Sequence, residues 1–422
     1  MSSKLLHTPE GVRDIYNSEC ERKMKLQSNL HKVIKCHGFS DIQTPTFEYE
    51  YIFSKERGSV SSRDMYKFVD REGETLVLRP DITPSIARCV AKYFKDEVMP
   101  IRLCYQGSTF INSTSYQGKL KETTQIGAEL INDKSIEGEG EILATTIEAL
   151  LASGIREFQV EIGHVDFFKG LVEEAGFSEE EESELRDLIE EKSIFGVESL
   201  ISKKNISSDL KEVFTNISEL FGTLDVLTRA KGITSNTRSL SAISHLEQLY
   251  EILKIYGLER YITFDLGMLS KYNYYTGIIF KAYTYGTGET IANGGRYDNL
   301  VGQFGKDAPA IGTAIMVDEL MLALSRQKLE SSLNKNTLLL YEGNLLREGI
   351  HLAKYFRETN VNIELLKKED RYNLNDYLEY GKRMGIGGIL YFGTPDIVQI
   401  YDIDKGTNIQ VNIKDLMLGD DE

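Results

Sequence analysis

The chain has 422 residues, room for two or three domains of ~150 residues, each able to bury a core without disulfides. Lys and Arg number 49 against 65 Asp and Glu, a net charge of −16, which argues against broad phosphate-backbone binding because that needs clustered cations. No apolar run reaches the ~18 residues of a membrane span, and the opening MSSKLLHTPEGVRD is too polar for a secretory signal.

These features predict a cytoplasmic chain with neither a membrane nor a nucleic-acid partner. Cys20, Cys36, Cys89 and Cys104 form no C-x-x-C pair, which fits reduced, mostly buried thiols and predicts no metal and no cofactor.

Leu26, Leu30, Val33 and His37 recur at helical spacing and stop at Gly38. The next segment, DIQTPTFEYEYIF, is extended, and Pro45 restricts it to an edge strand or a strand end. MYKFVD and TLVLRPDITPSIARCVAKYF follow as turn-bounded runs, the second half of the latter helical, and IRLCYQGSTFI and TTQIGAELI are β-rich. A helix follows over Ile136–Leu151, then a strand in FQVEIGHVDFF.

Residues 167–257 change texture and read as a helical insertion, with Ile243, Leu246, Tyr250 and Leu253 on one face. Within it, Ser178 and Glu181 have capping-box spacing, so the acidic run Glu179–Glu182 is a solvated first turn. Strands resume in YITFDLGML, YYTGIIFKAYTY and TIANGGRYDNLVGQF, and an apolar helix is predicted from about Gly312 to Leu324. A polar linker over 326–336 leads to strands and helices in alternation over 337–422. That pattern predicts a small α/β domain with right-handed crossovers, ending in a hairpin that turns at Lys405-Gly406.

Local motifs alone give little chemistry. TYGTGET lacks the lysine and the following helix of a phosphate loop and reads as a hairpin turn. The paired glycines of NGGRYDNL permit close backbone approach, and a glycine bulge in a core strand is the simpler expectation. His7, His31, His37, His164, His245 and His351 form no catalytic grouping and read as structural or surface residues.

Seven segments taken in order say more: TPEGVRD, GFSDIQTPTFE, LVLRPDITPSIAR, YQGSTFINSTSYQGKLKETTQIGAELI, YNYYTGIIF, NGGRYDNLV and PAIGTAIMVDEL. The set resembles the histidyl-tRNA synthetase family over residues 8–324. The resemblance implies an α+β fold: a class II synthetase-like antiparallel sheet with helices over 1–325, carrying the insertion at 167–257. The domain at 337–422 resembles a degenerate anticodon-binding domain.

By the same resemblance, Asp81 and Thr83 face a ligand ammonium with Gln125 beside them. Glu129 and Tyr275 read an imidazole, and Tyr274 and Tyr297 line the pocket. The family's catalytic arginines, however, fall at Ile111, Ser270 and Glu319. A class II synthetase needs those fixed guanidinium groups for its phosphoryl transition state, so no catalytic residues are expected.

An amino-acid pocket without ATP machinery resembles the regulatory-subunit family of ATP phosphoribosyltransferase. That resemblance implies a short-form catalytic subunit as partner in a hetero-octamer, a homodimer through the synthetase-like domain, and histidine as the feedback ligand of histidine biosynthesis. The alternative, a divergent histidyl-tRNA synthetase, requires Lys119 and Lys121 to replace the lost cations. A tRNA-binding protein that does not charge its tRNA is disfavoured because acids outnumber bases over 337–422.

Overall fold

In a computed structural model, which describes residues 3–53, 57, 60–112, 119–190, 193–269 and 274–417, the chain divides into two units, Met1–Ser331 and Ser332–Glu422. The first begins with α1 (Asn17–Cys36), which ends before Gly38, where φ is +81°. Short strands follow, β1 (Ser40–Asp41), β2 (Phe47–Tyr49), β3 (Lys67–Val69) and β4 (Thr75–Leu78), and then α2 (Thr83–Tyr93). Two long strands, β5 (Ile101–Phe110) and β6 (Glu122–Ile131), precede α3 (Ile136–Ala152) and β7 (Phe158–His164).

Helices α4 (Val165–Ala175), α5 (Glu179–Glu190), α6 (Ile194–Ser202) and α7 (Ser208–Thr215) occupy the insertion. The two-residue β8 (Phe221–Gly222), α8 (Asp225–Ile233) and α9 (Thr237–Ile255) complete it. The capping box forms as expected: Glu181 N donates to Ser178 Oγ at 3.3 Å, and Ser178 N donates to Glu181 Oε2 at 2.8 Å. The insertion is not a separate body. Its Phe167, Leu171, Ile243 and Leu246 share one core with the main sheet, and β8 pairs with a strand of that sheet. The unit ends with β9 (Ile262–Asp265), β10 (Ile278–Thr284), β11 (Ala292–Arg296), β12 (Ala310–Met316) and α10 (Val317–Arg326).

The nine-stranded sheet has the order β1-β5-β6-β12-β11-β10-β7-β9-β8. Its centre is antiparallel, whereas β1–β5 and β7–β9 pair in parallel. Strands β2, β4 and β3 form a separate small sheet. On one face Ile126, Ala128, Leu130, Ile311 and Ile315 pack with Leu30, Ile142, Ile147 and Leu246 of the helices. On the other, Leu103, Tyr105 and Ile131 pack with Ile86 and Val90 of α2, with Ile82 at its N-cap and with Tyr274, Tyr297 and Leu300.

Two sequence expectations are corrected. Residues 310–316, predicted to open a helix at about Gly312, are the central strand β12, and the helix begins only at Val317. A strand covered on both faces reads as a continuous apolar run, and periodicity cannot separate that from a buried helix. The glycine pair also makes no bulge: β11 runs in unbroken register with β10 and β12. The glycines are there because aromatic rings press on both faces of the strand. A Cβ on Gly294 would meet the Phe280 ring at 2.4 Å, and one on Gly295 the Tyr275 ring at 2.8 Å.

The cysteines are free, but only Cys104 is buried, and Cys36 is exposed. TYGTGET is a hairpin connection between β10 and β11, as expected. Among the described residues no helix is long and apolar enough to cross a membrane.

The second unit alternates β13 (Thr337–Tyr341), α11 (Leu346–Glu358), β14 (Ile363–Lys367), α12 (Leu374–Met384) and β15 (Gly388–Thr394). The hairpin β16 (Ile397–Asp402) and β17 (Thr407–Asn412) and the short α13 (Ile413–Met417) close it. Its sheet order is β14-β13-β15-β16-β17, parallel about β13 and antiparallel beyond β15. A capping box at Asn373 and Asp376 starts α12, and Gly406 turns the hairpin at φ +66°.

Candidate functional site

Side chains alternate across a strand, so the face of β6 that carries Gln125, Gly127 and Glu129 is opposite the one that carries Ile126, Ala128 and Leu130. The pairing Glu129↔Gly312 and Gln125↔Met316 sets Gly312, Ala314 and Met316 of β12 beside them. Asn293 of β11 pairs with Ala314, and Gly295 with Gly312. The small residues leave this face hollow. A Cβ on Gly312 would sit 1.6 Å from Glu129 Oε2, and one on Gly127 would sit 2.4 Å from the Tyr105 hydroxyl.

The resulting cavity has a volume of about 100 Å³, well beyond the ~10–15 Å³ that one water needs. Asp81, Thr83, Gln125, Glu129, Tyr274, Tyr275 and Tyr297 all line it, as does Ile111. The seven residues that the family resemblance assigns to one ligand are thus brought together from four separate stretches of chain.

The start of α2 positions the two residues meant for an ammonium. Asp81 Oδ1 accepts the backbone N–H of Ile82 at 2.7 Å and of Thr83 at 3.2 Å, while Oδ2 accepts the Tyr274 hydroxyl at 3.3 Å. Thr83 donates to Glu129 Oε1 at 2.8 Å, and the Tyr297 hydroxyl donates to Glu129 Oε2.

Glu129 is 1% exposed. Burial, with the Asp81 charge adding to it, raises its carboxyl to about 8 against the downward pull of the two hydroxyl donors. Burial also drives the Tyr105 and Tyr297 phenols well above their usual range, with the Glu129 charge adding to it. Gln125 Nε2 lies 3.6 Å from Met316 Sδ, and its buried Oε1 has no hydrogen-bond partner. The site is therefore a small box of carboxyl and phenol groups, built to receive a ligand rich in N–H donors and positive charge.

Of the three positions where catalytic arginines are expected, the two described ones lie apart. Ile111 is on the cavity wall, and Ser270 lies outside the described residues. Glu319 is in the first turn of α10 and accepts the Thr287 hydroxyl at 2.8 Å, bracing the β10–β11 turn. Lys119 and Lys121 do not line the cavity. Lys119 pairs with Glu289 at 2.6 Å, and the Lys121 chain packs along Gly11.

Sequence reading missed Asn293, Gly312, Thr313, Ala314 and Met316 on the wall. The signal was the alternation of small residues at 312 and 314, hidden by taking the run as a helix. Two of the histidines are structural: His245 Nε2 lies 2.6 Å from buried Glu139 Oε2, next to Arg296, and His164 Nδ1 accepts the Asp166 N–H at the start of α4.

A largely antiparallel sheet with helices on one face and an acid-lined pocket on the other places the molecule among class II synthetase-like proteins, and the histidyl-tRNA synthetase family model matches residues 11–320. The crystal structure of a histidyl-tRNA synthetase from Nostoc has the same fold, with a TM-score of 0.81 at 20% identity over 98% of both chains. A Bacillus halodurans structure described as an ATP phosphoribosyltransferase regulatory subunit/histidyl-tRNA synthetase gives a TM-score of 0.82 at 30% identity, covering 92% of this chain and 99% of that one. In sequence, the ATP phosphoribosyltransferase regulatory subunit of Acetivibrio thermocellus is 39% identical over 421 residues, 99% of this chain and 100% of that protein. The chain belongs to the ATP phosphoribosyltransferase regulatory subunits, within the histidyl-tRNA synthetase-like fold.

Proposed function

We propose that this chain is the histidine-sensing, non-catalytic subunit of a cytoplasmic ATP phosphoribosyltransferase. Family membership makes it a regulatory subunit with a catalytic subunit as partner. The finer reading adds a short-form catalytic chain, a hetero-octameric assembly and feedback inhibition by histidine at the first step of its synthesis.

One observation carries this reading: Asp81, Thr83, Gln125, Glu129, Tyr274, Tyr275 and Tyr297 line a single small cavity whose wall also carries Ile111. A carboxylate and a phenol at fixed separation can bond both imidazole nitrogens. Asp81 offers charge-assisted hydrogen bonds to an ammonium. Glu129 holds a proton when the pocket is empty, and an arriving neutral imidazole would accept that proton on its free ring nitrogen and pair, as imidazolium, with the carboxylate.

Removing one guanidinium from a phosphoryl-transfer site can cost ~10³-fold or more. With Ile111, Ser270 and Glu319 in place of three, adenylation is lost while amino-acid binding is retained. A homodimer is supported by the outer face of the small sheet. There Phe47 packs on Phe68, and Tyr49 stacks with Tyr51 just beyond the strand, all four 40–57% exposed, a clustered apolar surface of the kind that marks an interaction site. The C-terminal unit is then a degenerate anticodon-binding domain that has lost its RNA.

Mixing the full chain with a short catalytic subunit, and scoring phosphoribosyltransferase activity with and without histidine, tests the reading. Activity that requires this chain and falls with histidine is expected. A mixture inactive throughout, or histidine-dependent exchange of pyrophosphate into ATP by this chain alone, overturns it.

A further inference from the structure

On the face of the sheet away from the pocket, three metal-ligating side chains from three separate segments meet. His31 Nε2 on α1 lies 2.5 Å from Asp41 Oδ1 on β1, and Cys104 Sγ on β5 lies 3.4 Å from the same carboxylate oxygen. All three donor atoms fall within 4.8 Å of one another. The parallel register Asp41↔Cys104 fixes two of them, and α1 brings the third across. Lys35 Nζ holds the other carboxylate oxygen, Oδ2, at 3.0 Å, so the carboxylate is oriented with Oδ1 facing His31 and Cys104. Cys104 is fully buried, whereas the His31 and Asp41 side chains are 35% and 60% exposed. The cluster is closed on the core side and open to solvent on the other.

We propose that His31, Asp41 and Cys104 form a binding site for a borderline divalent cation of the Zn²⁺, Co²⁺ and Ni²⁺ class, with water in the remaining position. The donor set decides the class. An imidazole nitrogen, a carboxylate oxygen and a thiolate sulfur suit zinc-like ions, while sulfur excludes Mg²⁺ and Ca²⁺, which take oxygen.

The geometry is close to what such an ion needs. With bonds of ~2.3 Å to sulfur and ~2.0–2.1 Å to nitrogen or oxygen, tetrahedral donors sit roughly 3.3–3.6 Å apart. The sulfur–oxygen pair already has that spacing, and the nitrogen–oxygen pair has to open by ~1 Å. On binding, the ion replaces the hydrogen bonds at Oδ1 and the thiol proton leaves to solvent, while Lys35 keeps its grip on Oδ2. No sequence motif announces the site, because strand pairing and helix packing, not a short spacing, bring the ligands together. Bound metal would pin α1 to the edge of the sheet.

The test is titration of the reduced full chain with Co²⁺, together with thermal melts in Zn²⁺. Stoichiometric Co²⁺ binding with a thiolate-to-cobalt charge-transfer band is expected, absent in Cys104→Ala. His31 is half-buried at the surface, so His31→Gln keeps the fold and isolates the ligand role even if Cys104→Ala does not fold. It should weaken Co²⁺ binding at least tenfold and abolish the Zn²⁺-induced rise in Tm. A wild-type chain without the thiolate band, or a Zn²⁺ shift unchanged in His31→Gln, overturns the assignment.

Discussion

The two faces of the nine-stranded sheet come from the same strands and solve opposite problems. On the helix-covered face β6 carries Ile126, Ala128 and Leu130, and these, with Ile142 and Leu246 of the helices, are fully buried. On the other face the same strand carries Gln125, Gly127 and Glu129, opposite Gly312 and Ala314. One face gains stability by filling space. The other gives some up, because it keeps space empty and buries a carboxyl in it. The glycines make the comparison concrete: Gly312 is neither in a turn nor at a positive φ, and its role is to yield its side-chain volume to Glu129.

The sharpest way to separate the faces is to truncate the filled one. Leu246→Ala should cost ~2–5 kcal/mol in denaturant unfolding while leaving histidine affinity in the folded fraction unchanged. Filling the hollow face should do the reverse in kind. Gly312→Ala puts a methyl against Glu129, costs ~1–3 kcal/mol by overpacking and removes histidine binding in calorimetry.

Glu129→Gln should cut histidine affinity strongly yet stabilise the empty protein at pH 8 by roughly 1–3 kcal/mol, since a buried carboxylate no longer has to be desolvated. The sign with pH follows from the raised Glu129 carboxyl. The fold keeps this proton up to about 8, whereas the unfolded chain releases it near ~4.3. The folded state thus holds the extra proton between those values, and Glu129's contribution to stability declines as pH rises through that window. Tm measured from pH 5 to pH 8 should fall less steeply in Glu129→Gln than in the wild type. Glu319→Ala, which loses one contact to Thr287, should change stability by less than ~1 kcal/mol and leave histidine binding intact.

Much of the pocket was legible because its residues sit in spaced motifs. Asp81 and Thr83 lie in RPDIT, Glu129 lies within the β-patterned run TTQIGAELI, and Tyr275 and Tyr297 lie in YYTG and GGRYD. The opposite wall was not. A strand buried on both faces has no polar alternation, so AIGTAIM ran on into the helix behind it. The NGGR glycines read as a bulge because a sequence cannot show that the rings of Phe280 and Tyr275 lie across them. Long-range convergence was equally invisible. His31, Asp41 and Cys104 meet through strand pairing and helix packing, and cysteine spacing alone predicted no metal.

The central claim is that the hollow face holds histidine and no longer drives chemistry. Calorimetric titration of histidine into the full-length wild type and Gly312→Ala, both confirmed folded, tests it most directly. The account predicts saturable binding at a single site in the wild type and none in the variant. Equal binding to both proteins would place the ligand elsewhere and contradict it.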